Sequence, residues 1–101
     1  MRLNHVAVLV LLLAAGCTGR PPADATGEEI YLQLCSNCHG EDLAGGIGPS
    51  LGSGSSSADQ PDMFLEVTIM QGRGRMPSFG TTLDDEQLAR LVGHIRAVQG
   101  R

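Results

Sequence analysis

The run Cys35-Ser36-Asn37-Cys38-His39 constrains this chain more than any other feature of its sequence. Cys-x-x-Cys-His is the attachment signature of a c-type haem. The two cysteines lie three residues apart, on one helical turn, so each can form a thioether with a haem vinyl group. His39 follows directly and is carried under the iron, where an imidazole nitrogen can bind it. The motif therefore predicts one covalent haem c with its iron.

Two other interpretations of the cysteine pair are open from the residues alone. A thioredoxin-like redox pair occurs in a βαβ context, but no segment here alternates with period two as a strand does. A structural zinc site needs four ligands at tight paired spacing. After Cys35, Cys38 and His39 the remaining ligand is His94, far away on another predicted helix. Haem attachment is therefore the interpretation that the motif favours.

Residues 1–16 have the pattern of an export signal. Arg2 supplies the positive charge, and residues 6–15 form an almost purely aliphatic run. A helix that spans a bilayer takes ~20 apolar residues, so this run is too short to cross a membrane. We therefore expect a signal peptide and an exported protein on the periplasmic side of a bacterial membrane.

The export signal ends in a Leu-Ala-Ala-Gly sequence directly before Cys17. This resembles the lipobox of bacterial lipoproteins, with Ala14 where a Leu is usual, and it predicts a lipid on Cys17. The alternative is cleavage near Gly16, which leaves a free thiol on a soluble periplasmic protein. An unpaired exposed Cys is a liability in an oxidising compartment, and this favours lipidation. Residues 17–25 have no apolar period and predict a lipidated Cys with a flexible tether.

The charge of the chain excludes one class of partner. The formal net charge is −4, with seven Lys plus Arg against eleven Asp plus Glu. No basic stripe exists that could neutralise phosphates, so we expect no nucleic acid as a partner. The expected state is a monomer that meets the membrane through the lipid on Cys17.

Residues 26–101 predict one all-α domain with three to four helices, because helical capping signals and apolar spacing recur along them. The predicted helices run from Thr26 to Gly40, from a cap at Asp59 or Gln60 to Gly72, and from a cap at Asp84 to Gly100. In the last helix one apolar stripe is predicted to be buried: Leu88, Leu91, Val92, Ile95 and Val98. A core of this size commonly needs a staple, which a covalent porphyrin would supply.

The second iron ligand has four candidates in the mature sequence: Met63, Met70, Met76 and His94. Met63 and Met70 lie on the apolar face of a predicted helix, where Met is typically core filler. Met76 lies in a Gly- and Arg-rich loop before Pro77, where a flexible thioether has no obvious packing reason. A Met ligand closes the iron and raises its potential.

From Gly27 to Gln99 the chain resembles a small bacterial class I cytochrome c. The matching stretches come in the family order and cover nearly the whole domain: Gly27 to Tyr31, Cys35 to Gly40, Gly48 to Leu51, Gly72 to Phe79, and Leu83 to Ile95. The resemblance implies the class I cytochrome c fold around one haem. It also implies that Met76 is the distal ligand, and that the Pro49 carbonyl accepts a hydrogen bond from the second ring nitrogen of His39.

The resemblance further implies that the first and last helices cross near Gly27, with Tyr31 packed near Leu91 and His94. Many relatives carry an aromatic residue, commonly Tyr, where this chain has His94. One interpretation of His94 is a helix-crossing residue with a polar tip. The other is a non-native iron ligand or a pH-sensitive packing group.

Arg73 and Arg75 flank the predicted ligand loop and have three possible roles. They are solvated loop charges, they pair with haem propionates, or they steer an acidic partner. Mitochondrial cytochromes of this type dock through a ring of lysines, and this chain contains no Lys.

Together these features predict a one-electron carrier between membrane-bound or exported redox proteins. Two alternatives are the haem subunit of a larger oxidoreductase complex and a haem peroxidase-like enzyme. An enzyme of the second kind needs an open iron position, which Met76 would close.

Overall fold

The computed structural model describes residues 19–101. In this range the chain forms α1 (Gly27–Leu34), α2 (Ser36–His39), a 3₁₀ turn (Ser56–Asp59), α3 (Asp62–Gln71) and α4 (Asp85–Gln99). The predicted all-α fold is confirmed. No helix in this part of the chain is long and apolar enough to cross a membrane. The predicted signal peptide and Cys17 lie outside the described residues.

The first predicted helix is two helices in the structure. The capping box at Thr26 is present: Thr26 Oγ1 accepts from the Glu29 amide, and Glu29 Oε1 accepts from the Thr26 amide, both at 3.1 Å. Helix α1 ends at Leu34, and Cys35 separates it from the single turn of α2. At this break the Cys38 amide donates to the Cys35 carbonyl at 3.3 Å. This bond joins residues three apart, as in a 3₁₀ helix, and it tightens the backbone. The prediction of one continuous helix is therefore wrong at the haem motif.

The other two helices are close to their predicted bounds. Pro61 occupies the position before α3, so the predicted caps Asp59 and Gln60 belong instead to the end of the 3₁₀ turn. Gly72 follows α3 with φ +76°, a conformation that L side chains rarely adopt. At α4, the Asp84 carboxylate accepts from the Gln87 amide at 2.8 Å, completing the predicted capping box.

Helix α1 crosses α4 at Gly27. A Cβ at this glycine would lie 2.0 Å from the Arg90 carbonyl oxygen, so no side chain fits between the two backbones. One turn further along, the Tyr31 and His94 rings pack with centroids 5.6 Å apart and planes at 51°. The crossing and the Tyr31–His94 contact thus agree with the arrangement that the resemblance implies.

The buried face of α4 is more polar than the apolar stripe predicts. Leu91, Val92 and Ile95 are buried, but Val98 is 41% exposed. Three polar residues of the helix are buried: Gln87, Arg96 and Gln99. Buried polar groups are costly unless they are hydrogen-bonded, and each of these side chains donates to backbone carbonyls elsewhere in the domain.

The segment before α1 is bound to α4. Arg90 donates from Nε to the Ala25 carbonyl at 2.9 Å and from Nη2 to the Ala23 carbonyl at 2.7 Å. Ala25 is 4% exposed and belongs to the core cluster. The prediction of a flexible tether over residues 17–25 is therefore wrong from Pro21 onward, because side chains of the last helix bond to this part of the chain.

Candidate haem site

The two cysteines of the motif lie on the short turn between α1 and the following loop. Cys35 is buried and Cys38 is exposed, and both thiols are free. Burial raises the pKa of the Cys35 thiol to about 12, with a smaller contribution from the nearby Cys38. The pair thus offers one sulfur inside the domain and one at its surface, three residues apart.

The His39 imidazole is oriented by the loop that follows it. Its Nδ1 lies 2.8 Å from the Pro49 carbonyl oxygen. A carbonyl can only accept, so Nδ1 carries the proton, and in the neutral ring Nε2 keeps its lone pair. A Cβ at Gly48 would lie 3.0 Å from Cε1 of the same ring, so a glycine lets the loop approach it closely. The imidazole is 8% exposed and is held in one orientation with Nε2 available as a ligand atom.

The loop after His39 folds back on the motif through backbone hydrogen bonds. The Gly45 amide donates to the His39 carbonyl at 2.8 Å, and the Gly48 amide donates to the Cys38 carbonyl at 2.7 Å. Leu43 has φ +64°, which is uncommon for a residue with a side chain. Its side chain is 1% exposed, and burying it offsets the strained backbone.

Met76 lies in a tight turn of the second Gly-rich loop. The Arg73 and Met76 backbones exchange two hydrogen bonds, of 3.1 and 2.9 Å. Gly74 takes φ +57° inside the turn, and a Cβ at Gly72 would lie 2.7 Å from the Met76 carbonyl oxygen. The Met76 side chain is half-buried and packs against the core cluster. An ordered turn thus holds this thioether at the edge of the core.

The other ligand candidates are placed differently. Met63 is 70% exposed, so the prediction that it is core filler is wrong. Met70 is half-buried in the last turn of α3, and the His94 ring packs on Tyr31. The structure describes no residue of the predicted lipidation site at Cys17.

Tyr31 supplies a contact to the motif that the sequence analysis missed. Its ring is fully buried, and its hydroxyl donates to the Gly40 carbonyl at 2.6 Å. Burial, with smaller contributions from Cys35 and Asp42, raises the pKa of Tyr31 to about 12. The hydroxyl therefore stays protonated at neutral pH and ties α1 to the residue after His39.

Arg73 and Arg75 are both exposed on the Met76 turn. The Arg73 guanidinium lies over the Phe64 ring, 5.8 Å from its centroid. This cation–π contact holds one of the two charges near α3. Both arginines thus lie at the surface of the turn that carries Met76.

The donor set fits a covalently attached haem. It comprises two free thiols, one imidazole with a fixed orientation and one thioether on an ordered turn. Other half-buried apolar side chains of the two loops and α3 pack against the same core: Leu51, Phe64 and Phe79. Side chains of this kind can cover a large apolar macrocycle, whereas the polar donors are the types that bind haem iron.

Arg96 and Gln99 form a second set that the sequence analysis missed. They lie four residues after Val92 and Ile95, on the same face of α4. This shared spacing was the available signal, since residues four apart on a helix lie one above the other. Their polar character excluded them from the apolar stripe.

Comparisons with known proteins extend this result. Residues 22–95 match the family model described as Cytochrome C oxidase, cbb3-type, subunit III. Cytochrome c55X of Stutzerimonas stutzeri is 33% identical over 98 residues, covering 93% of this chain and 86% of that protein. The Dihydro-heme d1 dehydrogenase of Pseudomonas aeruginosa is 38% identical over 97 residues, which are 94% of this chain but 19% of that protein.

Among solved structures, cytochrome cL from Hyphomicrobium denitrificans superposes with a TM-score of 0.66 at 37% identity. The match covers 72% of this chain and 45% of that one. These matches favour haem attachment over the thioredoxin-like and zinc interpretations of the cysteine pair. The chain belongs to the class I c-type cytochromes, electron-transfer proteins that carry a covalent haem c with its iron.

Proposed function

We propose that this chain is a one-electron carrier in which Cys35 and Cys38 attach the haem and His39 and Met76 are the axial ligands. The observation that carries the proposal is the hydrogen bond between His39 Nδ1 and the Pro49 carbonyl, at 2.8 Å. It leaves Nε2 as the free donor atom of the ring. It also makes the imidazole a better donor to a metal.

Met76 is the best-placed second ligand among the methionines. Two backbone hydrogen bonds fix its turn, and its side chain is half-buried against the core. Met63 lies on the outer face of α3, two residues before the buried Leu65. Met70 is part of the regular hydrogen bonding of α3 and is not on a loop that could adjust to an iron.

When bound, the haem supplies an iron that cycles between Fe(III) and Fe(II). The chain would hold the two proposed ligands in fixed positions. Pro49 holds the imidazole in one orientation, and the Arg73–Met76 turn holds the thioether. Because both proposed ligands come from fixed parts of the chain, electron transfer would need little rearrangement of the protein.

The purified native protein tests this proposal. We expect its oxidised form to show the near-red absorption band that reports Met–iron ligation, and a redox titration to follow a one-electron curve. Both axial positions are filled, so carbon monoxide should leave the reduced spectrum unchanged at neutral pH. A spectral shift with carbon monoxide, without the near-red band, would contradict Met76 ligation and favour a peroxidase-like enzyme.

A haem subunit or domain of a larger oxidoreductase is the second candidate function. The similarity to one part of a dehydrogenase favours it, since nearly all of this chain aligns with a fifth of that protein. In this case the same electron transfer occurs inside a complex. Size-exclusion chromatography of the protein extracted from its own cells in detergent, with the haem peak then separated by denaturing electrophoresis, distinguishes the two, because a carrier elutes without other subunits.

We further propose that the protein is exported and held at the periplasmic side of a bacterial membrane by a lipid on Cys17. The support is the small-residue sequence directly before that cysteine. Since side chains of α1 and α4 bond to the chain from Gly19 onward, little free chain would separate lipid and domain. Its electron donor and acceptor are then membrane-bound or exported proteins close to that surface.

Replacing Cys17 with Ser should release the haem protein from the membrane. Stable anchoring takes two or more acyl chains, and a Ser at this position accepts none of them by the lipoprotein route. Membrane and soluble fractions of cells making the parent and the variant are compared by haem absorbance. If the parent protein is already in the soluble fraction, the lipid anchor is contradicted, whereas the predicted export signal is not.

A further inference from the structure

A cluster of buried polar side chains lies at the C-terminal end of α4, on the last two turns of the helix. Arg96, Gln99 and Ser57 of the 3₁₀ turn are 7%, 6% and 7% exposed. In the described part of the chain no buried side-chain nitrogen or oxygen lacks a hydrogen-bond partner. A cluster that is both buried and fully bonded is rigid, since each broken bond leaves a costly unpaired group.

Arg96 is the centre of this cluster. Its Nε donates to Asp62 Oδ1 at 2.8 Å, and Nη2 donates to the Gln60 carbonyl. Its Nη1 donates to the Ser57 carbonyl at 3.2 Å and to Gln99 Oε1 at 2.7 Å. A guanidinium has donors alone. The amide oxygen of Gln99 must therefore face Arg96, and its amide nitrogen must point the other way.

The amide nitrogen of Gln99 bonds to the loop after the haem motif. Nε2 donates to the Leu51 carbonyl at 2.8 Å and to Ser57 Oγ at 3.2 Å. Leu51 is also bonded on its other side, where its amide donates to the Leu43 carbonyl at 2.8 Å. The backbone at this position is thus fixed by two contacts, and one of them comes from α4.

Leu51 lies two residues after Pro49, whose carbonyl accepts the His39 hydrogen bond. We infer that Gln99, oriented by Arg96, is a positioning residue that holds the Pro49 carbonyl against the His39 imidazole. This inference rests on the proposed role of His39 as iron ligand. Gln99 would then influence the midpoint potential of the iron from the C-terminal end of α4. It would do so by changing the basicity of the His39 imidazole and not by touching the haem.

Replacing Gln99 with Leu tests the inference without a change of charge. A looser Pro49 carbonyl weakens the hydrogen bond to His39 and makes the imidazole a poorer donor. A poorer donor stabilises Fe(III) less, so the midpoint potential should rise. In the reduced protein, solvent exchange of the His39 Nδ1 proton, followed by NMR, should become about tenfold faster or more as the contact opens.

Gln87→Leu is the matched control. Gln87 is also a buried amide on α4, and it donates to the Pro22 carbonyl at 3.2 Å, at the opposite end of the helix. It should lower stability as Gln99→Leu does, yet leave the potential and the Nδ1 proton unchanged. The inference is overturned if the midpoint potential and the Nδ1 exchange rate change equally in both variants. It is also overturned if neither changes in Gln99→Leu.

Gln99→Glu covers the case in which Gln99→Leu does not fold. It keeps the oxygen that faces Arg96 and loses the donor to Leu51. Its added charge would lower the potential, so the Nδ1 exchange rate decides: faster exchange supports positioning, and parental exchange contradicts it. The parent protein separates the two proposals, because a His39 ring without the NMR shifts of an iron-bound imidazole contradicts the ligand role itself.

Discussion

Replacing both Cys35 and Cys38 with Ala is expected to abolish covalent haem and to lower the yield of folded protein several-fold or more. Both attachment sulfurs are lost, although His39 remains. The apolar core is small, and its surrounding half-buried residues would lack the macrocycle they cover. A domain of this size is marginal without such a staple.

Mass spectrometry of the exported, denatured protein measures this effect. The parent should carry the mass of one haem, and acid acetone should extract haem from the double variant alone. Asn37→Ala is the control, since this exposed residue lies between the two cysteines and leaves the attachment signature intact. Haem that is extractable from the parent would contradict attachment at these residues.

Replacing Met76 with Ala is expected to open the distal side of the iron while the haem stays attached. The near-red band should disappear, and carbon monoxide should now bind the reduced protein. The midpoint potential should fall, because a thioether ligand favours Fe(II). The stability cost should be about 2 kcal/mol, the low end for truncating Met, because the side chain is half-buried.

Two other methionines supply the controls for Met76. Met63→Ala makes the same truncation at a 70% exposed position, so stability should change by at most about 0.5 kcal/mol. Met70→Leu is a near-isosteric swap that should cost under about 1.5 kcal/mol. Neither should alter the near-red band. A band that survives in Met76→Ala and disappears in Met63→Ala or Met70→Leu refutes the ligand assignment.

The sequence predicted the local parts of the site, because their determinants lie within a few residues of one another. The proposed attachment and ligand residues Cys35, Cys38 and His39 lie within a run of five residues. The capping box at Asp84 joins residues three apart, and it lies where predicted. Met76 stood out because a Gly- and Arg-rich loop gave no local reason for a thioether, although the folded chain packs this side chain against the core.

The break between α1 and α2 shows where local reasoning reached its limit. Thr26, Glu28 and Glu29 start the helix as predicted, and Gly40 ends the motif with φ +85°. Nothing in the residues between them forbids a continuous helix. The loop that bonds to the Cys38 and His39 carbonyls is brought to the motif only by folding. These hydrogen bonds accompany the tighter turn at Cys35.

Only the tertiary structure decided which polar side chains are buried and what they hold. Arg90, Arg96 and Gln99 each donate to backbone carbonyls more than thirty residues away, as with Arg96 and Ser57, which are 39 residues apart. Every residue carries the same carbonyl oxygen, so no sequence pattern identifies these acceptors. For the same reason the chain from Gly19 to Ala25 resembled a tether. The sequence by itself determined the haem-binding chemistry through short-range spacing, whereas the fold determined the supports of that chemistry through long-range contacts.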